Sequence, residues 1–355
     1  MQIDGGDMAI LSYGRVDIRA GSYSRNGMLH QCPRKYELEQ KFRMSSQEPS
    51  VTFSFGHMVG RGVQSLAEGK SKERAIFDAM LEWDMDIYEP GTMSEQRALK
   101  SFWWGIHAIQ QVWELEQDPR TSFLDGWEVA MLPDNEGNLH SGVELEFRID
   151  CGADEQWEQS ADYDPSKPAP HFLYEGHIDL LVINKEHTKL RVVELKTNSS
   201  NQLDPAQYQN SSQASGYAVL VDRAAQYYGI ESAYEVLYIV FMTKLQEWRS
   251  LPFLRTFKHR IEFLLNIMAD KKLVQLYNHR DFDHWPMNGS ACFDFFRPCR
   301  HLDTCMMSRP SLMALSKNAP LSFEEDDNFG PFRFTIEELM QTQQDRAISF
   351  IERVE

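Results

Sequence analysis

Apolar residues recur along the chain with two different spacings. Spacings of three and four residues predict amphipathic helices, and short runs rich in Val, Ile and Leu bounded by polar turns predict strands. Helices are predicted at Met28–Arg43, Phe55–Glu68, Lys72–Asp84, Ser94–Glu116, Gln207–Val221 and Leu251–Ala269. Strands are predicted at Gly142–Asp150, Phe172–Asn184, Leu190–Thr197 and Tyr234–Thr243. This order predicts an α/β (mixed α+β) fold, with a mixed central sheet flanked by helices.

Two of the predicted strands form a hairpin, because the polar run from Lys185 to Thr188 separates them. If the hairpin is symmetric about this turn, residues pair when their numbers sum to 373. Asp179 then faces Glu194, with side-chain bases about 5 Å apart. The two-residue period of a strand places Lys196 on the same face as Glu194.

Two carboxylates at this separation repel each other. Oxygen ligands on a rigid sheet are what a hard cation such as Mg²⁺ or Mn²⁺ accepts, so the pair predicts a cation site. The alternative interpretation is an ordinary solvent-facing pattern with a chance salt bridge between Glu194 and Lys196.

The motif Gly176-x-x-Asp179 followed by Glu194-x-Lys196 resembles the core of the PD-(D/E)XK nuclease superfamily. The later Gln213-x-x-x-Tyr217 is similar to a helical motif of its RecB-like branch. The resemblance implies a restriction-endonuclease-like core that hydrolyses DNA. It also implies that Asp179, Glu194 and the backbone carbonyl of Leu195 hold Mg²⁺ or Mn²⁺. Lys196 would orient the attacking water, and Gln213 and Tyr217 would position the DNA strand or brace the site.

The first motif of that branch is different in this chain. RecB-like nucleases usually carry a helix reading Gly-x-x-x-His, and here the run beginning Phe55-Gly56-His57 places Gly60 where the histidine would fall. His57 and Gln64 are accessory candidates for the same face. The difference leaves open a catalytically inactive nuclease fold that serves as a DNA-binding scaffold.

The five cysteines form a second constellation. An odd count without a hydrophobic signal segment argues against a secreted disulfide framework. Cys32 early in the chain and Cys292, Cys299 and Cys305 near its end resemble the iron–sulfur staple of RecB-like nucleases, including CRISPR-adaptation exonucleases and phage members. Four thiolates suit a [4Fe–4S] cluster, which the resemblance favours, but they also suit Zn²⁺. Buried free cysteines are the further alternative, and Cys151 is expected to be a core or strand-end residue.

The formal net charge of −17 is unexpected for a protein that approaches phosphates. Basic residues cluster locally and could line a DNA groove or simply form solvated faces. The last 35 residues carry nine acidic and three basic side chains, and a solvated tail is the simplest interpretation, with partner binding or screening of the groove as alternatives. The local basic clusters are Arg34, Lys35, Lys41 and Arg43, then Arg255, Lys258 and Arg260, then Arg297 and Arg300.

These observations predict four segments: a helical N-terminal region (1–130), the nuclease core (131–280), a three-cysteine segment (281–310) and an acidic C-terminal extension (311–355). With no apolar run of transmembrane length, a cytoplasmic protein of a bacterial or phage-infected cell is expected. The predicted activity is metal-dependent DNA exonuclease action in recombination, repair or phage DNA processing. No phosphate-binding Gly-x-x-x-x-Gly-Lys-Ser/Thr loop is present, so a helicase or recombination protein would have to be a partner. A zinc-stapled domain with a coincidental Asp/Glu/Lys pattern is the remaining alternative.

Overall fold

The computed structural model describes residues 20–42, 51–87, 99–209, 211–230, 234–294, 297–308, 311–312 and 331–354. Its α-helices are α1 (Tyr23–Gln31), α2 (Pro33–Tyr36), α3 (Val51–Ala67), α4 (Lys72–Leu81), α5 (Phe102–Glu116), α6 (Ala206–Gln209), α7 (Ser212–Gly216), α8 (Ala218–Tyr228), α9 (Phe257–Tyr277), α10 (Leu302–Cys305) and α11 (Ile336–Val354). Its strands are β1 (Ala20–Gly21), β2 (Trp127–Val129), β3 (Met131–Pro133), β4 (Leu139–Ser141), β5 (Val143–Ala153), β6 (His171–Asn184), β7 (Leu190–Asn198), β8 (Tyr234–Met242), β9 (Glu247–Arg255), β10 (Phe293–Asp294), β11 (Arg297–Pro298) and β12 (Phe332–Thr335).

A mixed sheet with the order β12-β5-β6-β7-β8-β9 forms the centre of the fold. Strands β5, β6 and β7 are antiparallel neighbours, β7 and β8 are parallel, and β9 is antiparallel to β8. The short strands β1 and β2 add to the two ends of β6. The predicted mixed sheet flanked by helices is confirmed.

Helices cover both faces of this sheet, and β8 shows why. Alternate residues of β8, such as Tyr238 and Val240, pack into one core, whereas Ile239 and Phe241 between them pack into the other. A strand buried on both faces has a continuous apolar sequence, as Tyr234–Met242 does. The first core lies against α8, α9 and α11, and the second lies against α3, α4 and α5.

Several predicted helices differ from the structure, and two of the differences occur at a proline. The helix predicted from Met28 is interrupted at Cys32, where the backbone is extended (φ −159°), because the residue before a proline avoids the helical region. Pro33 then begins α2. The helix predicted from Leu251 begins six residues later, because Glu247–Arg255 is an edge strand that tolerates Pro252.

The C-terminal segment folds onto the core, so the expectation of a solvated tail is wrong for its described part. Strand β12 pairs in parallel with β5, with Phe332 beside Phe147. Helix α11 packs against α9, and its Gln343 and Arg346 both bind the buried Asp222. The acidic run 324–327, Arg43 and residues 94–98 of a predicted helix lie outside the described residues. The division of the chain into four segments stays a prediction.

No helix among the described residues combines the length and the apolar character that crossing a bilayer requires.

Candidate active site

A cavity of about 850 Å³ lies where β6 and β7 separate. It collects every nuclease-site residue predicted from the sequence, together with Glu144, which the sequence analysis missed. The lining includes His57, Gly60, Gln64, Glu144, Asp179, Glu194, Leu195, Lys196, Gln213 and Tyr217.

The register of the β6–β7 hairpin is the predicted one. Leu180 pairs with Val193 and Ile183 with Leu190, so the paired numbers sum to 373. The paired part of the β6–β7 ladder ends at Leu180, and Asp179, which precedes Leu180 in the sequence, lies just outside it. There the Asp179 Oδ2 atom accepts a hydrogen bond of 2.7 Å from the Leu195 N–H. The carboxylate therefore fills the gap between the separating strands and is fixed by the backbone.

Glu194 is the most deeply buried acid of the site, with 0% of its surface exposed. Its Oε1 atom lies 2.5 Å from the Lys196 ammonium nitrogen, yet neither carboxylate oxygen receives a hydrogen bond of normal geometry from a described residue. The hydroxyl of Tyr217 lies beside it and is likewise outside normal hydrogen-bond geometry. A buried carboxylate with unused lone pairs is an expensive arrangement that a ligand would relieve.

The electrostatics of the pair follow from burial and proximity. Burial, followed by repulsion from Glu194, raises the pKa of Asp179 well above its usual range. Burial also raises the pKa of Glu194, although Lys196 opposes this effect. Burial alone would lower the pKa of Lys196, but attraction to Glu194 and Asp179 outweighs it and raises that pKa. The single ammonium of Lys196 thus faces the carboxyl groups of both Asp179 and Glu194, so a further positive charge would be stabilised at this site.

These residues fit a hard divalent cation, because the unused oxygens of Glu194 and the carboxylate of Asp179 are suitable ligands for it. In the described part of the chain, no three His, Cys, Asp or Glu side chains already have the spacing of a metal site.

The helix predicted at Gln207–Val221 is divided into α6, α7 and α8, but it still delivers both motif residues to the cavity. Gln213 is half-buried and Tyr217 is 2% exposed. Gly216 between them allows the close approach of Phe263, whose ring would lie 2.8 Å from an added Cβ. The four-residue spacing therefore places the side chains of Gln213 and Tyr217 at the same cavity, although the helix is not continuous.

Helix α3 contributes Gln64 rather than His57 to the centre of the site. Gln64 is 1% exposed, and its Nε2 atom donates to Glu144 Oε1 and, at 3.4 Å, to the Asp179 carbonyl oxygen. His57 is exposed at the rim of the cavity. Nothing lies within 4 Å of a Cβ added at Gly60, so that position faces open space.

The four cysteines predicted to act together line one small pocket, with Lys35 and Leu38 beside them. None of the five cysteines forms a disulfide. The buried Arg34 joins the same two parts of the chain, because it donates 2.8 Å hydrogen bonds to the carbonyl oxygens of Cys305 and Met307. Cys151 lies in the first core, where burial raises its thiol pKa to about 12, as expected of a core residue.

Several basic residues proposed for a DNA groove are buried instead, so both interpretations of those clusters were wrong for them. Arg34, Arg255 and Arg260 are at most 3% exposed. Arg34 pairs with Glu37 and Arg260 pairs with Asp222. From the sequence alone, these buried ion pairs could not have been distinguished from a cluster of exposed basic residues.

A mixed sheet between two helical layers, with paired acids and a lysine where two strands separate, defines a nuclease-like α/β protein. A family model of the PD-(D/E)XK nuclease superfamily matches residues 20–305. The chain belongs to this superfamily, whose members are hydrolytic nucleases.

Two solved structures are distantly similar. One is described as "Putative exonuclease" from Eubacterium rectale: the similarity covers 85% of this chain and 98% of that chain, at 12% identity and a TM-score of 0.43. The other is SSO0001, with 68% of this chain and 83% of that chain covered, at 14% identity and a TM-score of 0.26. A search of curated proteins finds no match. Membership of the superfamily rests on the family match.

Proposed function

We propose that the protein is a metal-dependent DNA exonuclease of the RecB-like branch, acting in recombination, repair or phage DNA processing. The observation that carries the proposal is the pair of acids in the cavity lining, the half-buried Asp179 and the buried Glu194, with Lys196 beside them. A cavity of about 850 Å³ has room for a nucleotide at a strand end.

The proposed metal ligands are Asp179, Glu194 and the backbone carbonyl of Leu195. A bound Mg²⁺ or Mn²⁺ would polarise the scissile phosphate and lower the pKa of a water molecule. The backbone hydrogen bond from Leu195 holds the Asp179 carboxylate in one orientation. Lys196 keeps its proton beside two acids, so its ammonium can stabilise charge that develops on the phosphate oxygens. Gln213 and Tyr217 line the same cavity, where they would position the strand or brace the site.

The test is digestion of end-labelled single- and double-stranded DNA with Mg²⁺, with Mn²⁺ and with EDTA. Wild type, Asp179→Asn and the matched control Glu146→Gln are compared, because Glu146 belongs to the neighbouring strand, pairs with His177 and does not itself line the cavity. Metal-dependent release of label by wild type and Glu146→Gln, lost in Asp179→Asn, is the expected result. Folded wild type that binds DNA without cleaving it would instead support a nuclease-fold scaffold.

For the cysteines we propose a structural [4Fe–4S] cluster held by Cys32, Cys292, Cys299 and Cys305. Their common pocket supports this proposal, since one side of it comes from residues between 32 and 38 and the other from residues between 287 and 305. A cluster there would join segments that are far apart in the sequence and restrict the unfolded chain.

Cys299→Ala should lose colour, iron and solubility together, whereas Cys151→Ala should keep the colour and the iron. Iron and sulfide analysis of anaerobically purified protein measures both. Zinc in place of iron would contradict the iron–sulfur cluster but would still support a metal that joins the two distant segments. A soluble, colourless and fully active Cys299→Ala protein would contradict the staple itself.

A further inference from the structure

Glu144 occupies a special position in the sheet. On strand β5, Val143 pairs with Leu180 and Leu145 pairs with Ile178, so Glu144 stands directly opposite Asp179. Glu194 stands opposite Asp179 on the other side by the register of β7. By register, Asp179 therefore lies between Glu144 and Glu194 on three adjacent strands, although Asp179 itself is not paired in either described ladder.

The alternation of faces is interrupted at this level. Leu145 and Ile178 pack into the first core, whereas Val143 and Leu180 pack into the second, although residues two apart on a strand normally share a face. Glu144 itself has a φ of +50°, in the left-handed region that favours glycine. Such a conformation costs about 1 kcal/mol or more in a residue with a side chain, and it brings the Glu144 carboxyl group to the cavity.

Gln64 holds that carboxyl group from the opposite layer. Its Nε2 atom donates to Glu144 Oε1. Its own carbonyl oxygen, Oε1, is buried and accepts no hydrogen bond from a described residue. Gln64 is 1% exposed and lines the same cavity as the three carboxylates, so its amide carries a buried, unused oxygen at this site. An unsatisfied amide oxygen at such a place indicates a missing partner.

We propose that Glu144 is a third carboxylate of the cation site, with Gln64 as its positioning residue. This inference rests on the proposed function. It supplies a third metal ligand in place of the histidine that α3 lacks at Gly60. Carboxylates from three strands give an all-oxygen site, which suits Mg²⁺ and other hard cations better than a site with a nitrogen ligand. The three acids are not at ligand spacing in the structure, and Glu144 is the one of them that is exposed to solvent.

The experiment is a titration of the protein with Mn²⁺ in the absence of DNA, followed by the electron paramagnetic resonance signal of free Mn²⁺. Glu144→Gln should weaken binding by about 10-fold to 100-fold, and Glu146→Gln, two residues along the same strand, should bind as wild type does. Gln64→Ala should weaken binding by a smaller factor than Glu144→Gln does, because it removes only the support of Glu144.

Glu144→Gly separates a metal-binding role from a structural one. Glycine accepts the φ of +50° without strain, so the metal-free melting temperature should stay the same or rise while Mn²⁺ binding falls. Equal Mn²⁺ affinity of wild type and Glu144→Gln, with binding lost in Asp179→Asn, would overturn this inference and leave the proposed function intact. A wild-type protein that neither binds Mn²⁺ nor cleaves DNA would overturn both.

Discussion

Replacing Asp179 with asparagine should stabilise the metal-free protein while it abolishes the proposed activity. Asparagine keeps an oxygen to accept the 2.7 Å bond from the Leu195 N–H and leaves the Glu194–Lys196 ion pair in place, so the main change is the loss of one buried negative charge. Two charges about 5 Å apart repel by about 3 kcal/mol at an effective dielectric constant of about 20. Attraction between Asp179 and Lys196 offsets part of this, which leaves a net gain of about 1–2 kcal/mol.

The gain should depend on pH in a defined direction. Burial and Glu194 raise the pKa of Asp179 in the folded protein above the ordinary value of 3.8. A folded state that holds a proton more tightly than the unfolded state loses stability as the pH rises from the ordinary pKa through the raised one. Wild type should therefore approach the stability of Asp179→Asn near pH 4 and fall behind it at pH 8.

Melting temperatures in EDTA at pH 5 and pH 8 measure this effect. For 355 residues, an unfolding entropy of about 2 cal/mol/K per residue converts the gain at pH 8 to about 1.5–3 °C. The exposed Asp283 provides the control, since Asp283→Asn removes a charge far from the site and should change neither value. A variant that melts at or below wild type at pH 8, or a gain that does not shrink at pH 5, would refute the proposed repulsion. Added Mg²⁺ should raise the melting temperatures of wild type and Asp283→Asn, but not that of Asp179→Asn.

Three further predictions concern neighbouring features. Lys196→Gln should lower kcat for DNA cleavage by about 10²–10³-fold, because the proposed role of the ammonium is to stabilise charge in the transition state. Single-turnover digestion measures this change, and a rise in KM with an unchanged kcat would argue against that role. Gly176→Ala should cost about 1–3 kcal/mol of stability in urea unfolding, because the new Cβ would lie 2.4 Å from the buried ring of Phe147, and Phe147→Leu in the same chain should recover part of the loss. Arg34→Gln should cost about 3–5 kcal/mol, because the buried Glu37 carboxylate loses its ion-pair partner and keeps the hydrogen bond from the Trp285 N–H, and limited proteolysis should then cut residues 297–308 faster than in wild type; unchanged proteolysis would show that Arg34 does not anchor this segment.

The central hairpin could be predicted from sequence because its register depends on local information. A polar turn of four residues between two apolar runs fixes which residues face each other, and Asp179, Glu194 and Lys196 follow from that register. The motif residues Gln213 and Tyr217 reach the cavity for the same reason, since four residues form about one helical turn.

Glu144 could not be found in this way, because its importance depends on a pairing with β6 across a long loop and on an unusual backbone angle. One signal was present: Gly142–Asp150 was a predicted strand, and alignment of Leu145 with Ile178 would have placed Glu144 beside Asp179. The burial of Arg255 and Arg260 was also beyond sequence analysis, since their partners come from distant helices and strands. The same is true of β12, which is only four residues long and gains its stability from β5.

The pairing of β12 with β5 has a consequence for the order in which the molecule is made. During synthesis β5 leaves the ribosome early, and its outer edge has no neighbour until residues 332–335 follow. An unpaired edge strand is a template for association with other chains, so the nascent protein carries an exposed edge for most of its translation. Helix α11, which covers the same side and binds Asp222, also arrives late. The central sheet is therefore expected to become fully ordered only after residues 332–335 have been translated.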